Sequence, residues 1–196
     1  MSSVEELEKS LKFVFKRIAK LEDFDCALLS QRPARKSWSV LEIVEHLSNT
    51  HYVYIDNIRT VLNKHKNGRN SDKRHYRTTF SGRMTIRALK PRAGKRRFKM
   101  KTFGSLKPNH LLHQEQVFDK YSQSTSNLLD LFEASKEVKF DDIKVNTAIG
   151  NLLRLPLMEA FAFIEAHEAR HYQQLEDNFR QIGSTEDLEK LTKVSC

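Results

Sequence analysis

Residues Pro156 to Gly183 read PLMEAFAFIEAHEARHYQQLEDNFRQIG. Proline suits the first turn of a helix, where its missing amide costs nothing and its φ is already helical. Leu157, Phe161, Ile164, His171, Leu175 and Phe179 follow at spacings of three, four and seven, the period of one helical face. Gly183, directly after Ile182, is a natural C-terminal stop. The spacing predicts a helix over 156–182. Phe163, Ile164, His167, His171 and Gln174 trace one stripe along it, so the two histidines continue the core-facing side. A buried imidazole without a partner costs about 1–3 kcal/mol, so this stripe demands something to satisfy it.

Three further helices surround this one. Leu7, Leu11, Val14 and Ile18 predict a first helix over about 4–21, with Glu5, Glu6 and Glu8 near its start, where the helix dipole favours acids. Ser39 and Glu42 form an S-x-x-E capping box, and Val40, Ile43, Val44, Leu47, Val53, Tyr54 and Ile58 carry a second helix to about Asn63. Trp38, just before that cap, is placed to staple against Ile43. After Pro108, Asn109 is a candidate cap for a third helix with Leu111, Leu112, Phe118, Tyr121, Leu128, Leu129 and Phe132 as its apolar stripe. Strand patterns over 138–145 and 78–87 are weak. The reading is an all-α domain over 1–183, a four-helix bundle with a long crossover between helices two and three, followed by a charged tail over 184–196.

Composition narrows the function classes. The chain has 196 residues with 6 Gly, 4 Pro and 2 Cys, which excludes collagen-like, low-complexity and disulfide-scaffold proteins. No run of about 18 apolar residues offers a bilayer span. The start, MSSVEELEKS, lacks the apolar core of a signal peptide. Cys26 and Cys196 read as reduced thiols, so the expected setting is cytoplasmic, away from membranes.

The net charge of +9 is concentrated. Between His65 and Lys107 stand 15 Lys and Arg against Asp72 alone, a net of +14, which leaves −5 on the remaining residues. Such a segment is a solvated connector, a lining for an anionic small molecule, or a nucleic-acid contact through residues such as Arg92, Lys95, Arg96 and Arg97. No RNA-recognition, zinc-finger or helix-turn-helix signature accompanies it.

The histidines carry the chemistry. His167 and His171, four apart on a helix, lie one above the other and can share a metal ion. His46, beside Ile43 and Leu47 on the second helix, can complete the set inside a bundle. Three imidazoles leave a four-coordinate cation one open position, as a catalytic site requires. Glu42, one turn before His46, is either the capping-box acid or a further ligand, a hydrogen-bond acceptor for His46, or a general base. His110 and His113 read as surface or capping residues, His65 and His75 belong to the basic segment, and His51 has no evident partner.

Trp38-Ser39-Val40-Leu41-Glu42-Ile43-Val44-Glu45-His46-Leu47 resembles the second-helix motif of the DinB-like, YfiT-like metalloenzymes. His167-Glu168-Ala169-Arg170-His171-Tyr172-Gln173-Gln174 resembles their last-helix motif. Arg97-Phe98-Lys99 and Pro108 are similar to the lead into the third helix of some members. The resemblance runs from helix one to about Ile182 and implies a four-helix bundle, often dimeric, with a divalent metal on His46, His167 and His171. Zinc or nickel would be the usual ion, with iron and manganese as alternatives. It further implies a small-molecule substrate and either hydrolysis or a transferase reaction with a bacterial thiol, while the basic segment allows that substrate to be anionic. A non-catalytic nucleic-acid module built on 65–107 is the competing expectation. Two departures from the family pattern stand out. Leu153-Arg154-Leu155-Pro156 takes the place of a Ser/Thr cap before helix four, and the crossover is unusually basic.

Overall fold

The computed structural model describes residues 2–65, 75–90, 102, 104–109, 111–148 and 150–192. Among them the structure is 74% helix, in seven helices, with two small two-stranded sheets. The chain opens with β1 (Ser2–Ser3) and α1 (Val4–Ala19), whose first turn is capped by Ser3 accepting from the Glu6 amide. The helix tightens into a 3-10 turn at Lys20–Asp23, so Leu21 joins the core from that turn. A short α2 (Cys26–Ser30), capped by Asp25, leads to α3 (Val40–Lys64). The predicted capping box is present at α3, with Ser39 and Glu42 each satisfying an orphan amide of the other.

The crossover is described in part. It holds β2 (His75–Tyr76), which pairs antiparallel with β1, and α4 (Phe80–Leu89), which packs on the last long helix. The weak strand pattern over 78–87 is therefore helical over most of its length. Arg92, Lys95, Arg96, Arg97 and Phe98 lie outside the described residues.

The third long helix, α5, spans Gln114–Lys136 and starts later than predicted. Asn109 is not its cap, because its side-chain amide donates instead to Glu45 Oε1 at 3.1 Å. His113 holds the cap position without a side-chain hydrogen bond and is exposed. The Gln114 side chain donates to the carbonyls of Glu22 and Phe24, which ties the helix start to the end of α1.

A hairpin was the least visible element. β3 (Lys144–Thr147) and β4 (Gly150–Pro156) pair antiparallel, with an irregularity between Asn146 and Thr147. β4 runs straight into α6 (Leu157–Gln181). This explains the missing Ser/Thr cap. The Leu157 amide donates to the Ile143 carbonyl at 2.9 Å, so the hairpin satisfies a donor that a side-chain cap would otherwise take. Pro156 is the cap residue itself, and Gly183 closes the helix at a φ of 78°. The tail from Ser184 forms α7 (Thr185–Thr192), which docks on α6 through buried Leu191 and a Tyr172 hydroxyl donating to the Leu191 carbonyl at 2.9 Å.

Side-chain contacts give the helix directions. On α3 and α6, His46 meets His171 while Tyr54 meets Phe163, so the two run opposite ways. On α3 and α5, Glu45 meets Lys120 while His51 meets Ser124, so these run together. Ser10 meets Glu165 and Arg17 lies over the Tyr172 ring, so α1 and α6 run together. Phe15 meets Tyr121 while Glu8 meets Lys136, so α1 opposes α5. One continuous core of residues from all four, including Ile18, Tyr54, Tyr121, Phe132, Phe161 and Phe179, fills the space between them.

Candidate metal centre

Three imidazoles from two distant stretches converge. The ring centroids of His46 and His167 are 5.3 Å apart, those of His46 and His171 4.9 Å, and those of His167 and His171 4.5 Å. One nitrogen from each lies within 4.8 Å of the others. His46 and His171 are buried, while His167 keeps part of its surface open. The opposed directions of α3 and α6 produce this meeting, since they bring the first two turns of α3 against the middle of α6.

The hydrogen bonds orient two of the rings. His46 Nδ1–H donates to the Leu106 carbonyl at 2.7 Å, which leaves Nε2 with its lone pair. His171 Nδ1–H donates to Gln174 Oε1 at 3.0 Å, with the same consequence. Trp38, expected to staple against Ile43, packs its ring 5.0 Å from that of His46. His167 stacks on Phe163, with ring planes 11° from parallel.

Burial pushes His46 below the usual imidazole range. It pushes His167 and His171 well below it, and the neighbouring imidazoles and Arg170 add to the effect. Neutral imidazoles with their second nitrogen hydrogen-bonded are the ligand form that zinc and related ions require. The donor set and its orientation fit a divalent cation.

Glu42 serves the helix start. Oε2 accepts from the Ser39 amide at 2.8 Å, and the carboxylate also pairs with Arg32. His65 Nδ1–H donates to the Val61 carbonyl at the end of α3, His75 lies in β2, and His110 is outside the described residues.

His51 does have partners, contrary to the sequence reading. It is fully buried, with Nε2 2.8 Å from Glu168 Oε1 and Nδ1 2.9 Å from Ser124 Oγ. The Tyr121 hydroxyl donates to the other Glu168 oxygen at 2.7 Å. This polar knot ties α3, α5 and α6 together directly behind the three-histidine group. A signal for it existed. Leu47, His51, Tyr54 and Ile58 share one stripe, as do Phe161, Ile164, Glu168 and Leu175, so His51 and Glu168 each lie on an apolar face that must supply them a partner.

Next to it, Glu45 is also buried and takes Lys120 Nζ at 2.7 Å along with the Asn109 amide. Asn49 donates to the Lys107 carbonyl at 3.1 Å. The end of the crossover is therefore stitched to the start of α3 beside the histidines.

Among the described residues, no helix is long and apolar enough to cross a membrane. No curated protein and no solved structure matches the chain. The DinB superfamily matches over residues 11–175, a span that contains all three histidines, the capping box of α3 and the whole crossover. The chain therefore belongs to the DinB superfamily.

Proposed function

We propose that this protein is a metal-dependent enzyme, a four-helix bundle of the DinB type in which His46, His167 and His171 hold one divalent cation. The convergence of three imidazoles, two of them held in one orientation by hydrogen bonds, carries this reading. Zinc or nickel suits an all-imidazole set best, and iron and manganese are the alternatives. When bound, such an ion lowers the pKa of a coordinated water or thiol toward neutrality and so supplies a nucleophile.

The chain's own residues do the rest. Leu106 and Gln174 hold two rings in the tautomer that presents Nε2. Phe163 and Trp38 pack the site with aromatic surface, which limits water and strengthens electrostatic interactions inside it. The reaction class is hydrolysis or transfer to a small thiol, and the substrate is a small molecule. The family likeness carries a homodimer with it, and the mass in solution tests that point.

Metal analysis of protein purified without a polyhistidine tag tests the reading. About one divalent ion per chain is expected, and each of His46→Ala, His167→Ala and His171→Ala should abolish stoichiometric binding. Unchanged metal content in all three variants refutes the assignment. Thiol-dependent turnover of an electrophile, present with metal and lost on chelation, separates transferase from hydrolase.

A further inference from the structure

A groove of about 630 Å³ lies between the N-terminal turns of α1, β2, α4 and the middle of α6. This volume falls within the range of about 300–1,000 Å³ that suits small ligands. Its α6 wall is Ala162 and Glu165, which turn toward α1 while His167 turns toward α3. None of the three histidines lines it.

Two features define its chemistry. The floor is apolar, with Leu7, Tyr76 and Ala162 buried and Ile86 partly so, and at its mouth Phe80 and Met84 are 73% and 53% exposed. Two large apolar side chains one turn apart on α4, left in water beside an apolar groove, are unusual for a surface helix and mark contact with something apolar. The second feature is charge. Arg83 and Arg87 on α4 and Lys90 at its C-terminal cap line the groove at spacings of four and three, and α4 contains no acid. Arg83 is steadied by donating to the Thr78 carbonyl and hydroxyl at 3.0 and 3.3 Å, and no ion pair joins Arg87 or Lys90 to any described residue. The α1 and α6 walls carry Glu6 and Glu165, and Glu165 already accepts from the Ser10 hydroxyl at 2.8 Å. An occupant's negative end is therefore directed to the α4 cations and away from the carboxylates of α1 and α6.

We propose that this groove binds a small amphipathic anion, an unbranched acyl chain with a carboxylate head, with the chain over Leu7, Tyr76 and Met84 and the head on Arg83, Arg87 and Lys90. The site is separate from the histidine centre and does not depend on it.

Titration calorimetry with dodecanoate below its micelle concentration tests this. Saturable one-to-one binding is expected, tighter by at least about tenfold than dodecanol or dodecyltrimethylammonium of the same chain length. Arg87→Glu should weaken dodecanoate at least about tenfold, since it reverses a charge in the head site. Arg87 and Lys90 are exposed, so Arg87→Gln with Lys90→Gln provides a milder check in a fold of unchanged circular dichroism. Met84→Asp should weaken it as well. The His46→Ala/His167→Ala/His171→Ala variant should bind as the wild type does. Three results overturn the proposal: no saturable binding, equal affinity for the ammonium analogue, or full affinity in both charge variants. Binding to phosphatidylglycerol vesicles without binding to dissolved dodecanoate also overturns it and makes α4 a membrane contact.

Discussion

The His46 ring and the Leu106 carbonyl, sixty residues apart, share a hydrogen bond of 2.7 Å. It couples the last turn of the crossover to the imidazole that α3 contributes to the candidate centre. His46→Ala is therefore expected to act at two places, removing the ion and loosening the segment around Leu106. Hydrogen exchange measured on metal-loaded and chelated protein checks this. Faster exchange at 104–109 in the variant and in the chelated wild type is the expected outcome, and unchanged protection in both would break the link.

The His51–Glu168–Tyr121 knot is expected to be structural. Both partners are fully buried, so Glu168→Ala leaves His51 and the Tyr121 hydroxyl without their acceptor and should destabilise the protein by about 1–3 kcal/mol. His51→Leu combined with Glu168→Leu should cost clearly less than the sum of the single changes. Urea unfolding of the three variants provides the cycle, and simple additivity would show that the two residues do not act as a pair.

Gly82 lies against Glu159. That carboxylate is fully buried and caps α4, accepting from the Thr79 amide and from the Thr79 hydroxyl at 2.7 Å. A Cβ at Gly82 would overlap the Glu159 carboxylate directly. Gly82→Ala should therefore cost about 1–3 kcal/mol by overpacking, despite alanine's better helix propensity. Limited proteolysis should cut first near α4 in this variant. A gain in stability would mean that α4 does not seat on Glu159.

Acid stability should depend on Glu8. Lys12 and Lys136 hold its carboxyl down from the ordinary 4.5 to about 2, and the Lys136 Nζ lies 2.6 Å away on α5. The unfolded chain then takes up this proton at a higher pH than the folded one. The contribution is complete above about 4.5 and is lost as the pH falls toward 2. Solvent screening reduces it to about 1 kcal/mol. Glu8→Gln should lose that amount at neutral pH and flatten the stability profile over this interval in thermal melts. An unchanged slope would place the acid sensitivity elsewhere.

Much of this protein is written in local sequence. Amphipathic period gives the four long helices, Ser39 and Glu42 give the start of α3, and Gly183 gives the end of α6, because each depends on residues within a turn or two of one another. The three histidines were legible for the same reason: their stripes face inward. The rest needed tertiary structure. The β3–β4 hairpin is short and weakly patterned, and its task of satisfying the Leu157 amide through Ile143 exists only once the helix is docked. Asn109 looked like a cap until Glu45, 64 residues away, claimed its amide. His51 had no partner in sequence because Glu168 and Ser124 come from two other helices, and only packing brings buried polar groups to the same depth. Local periodicity selects which face turns inward, whereas the identity of what each inward group meets is set by helix direction and register across the core.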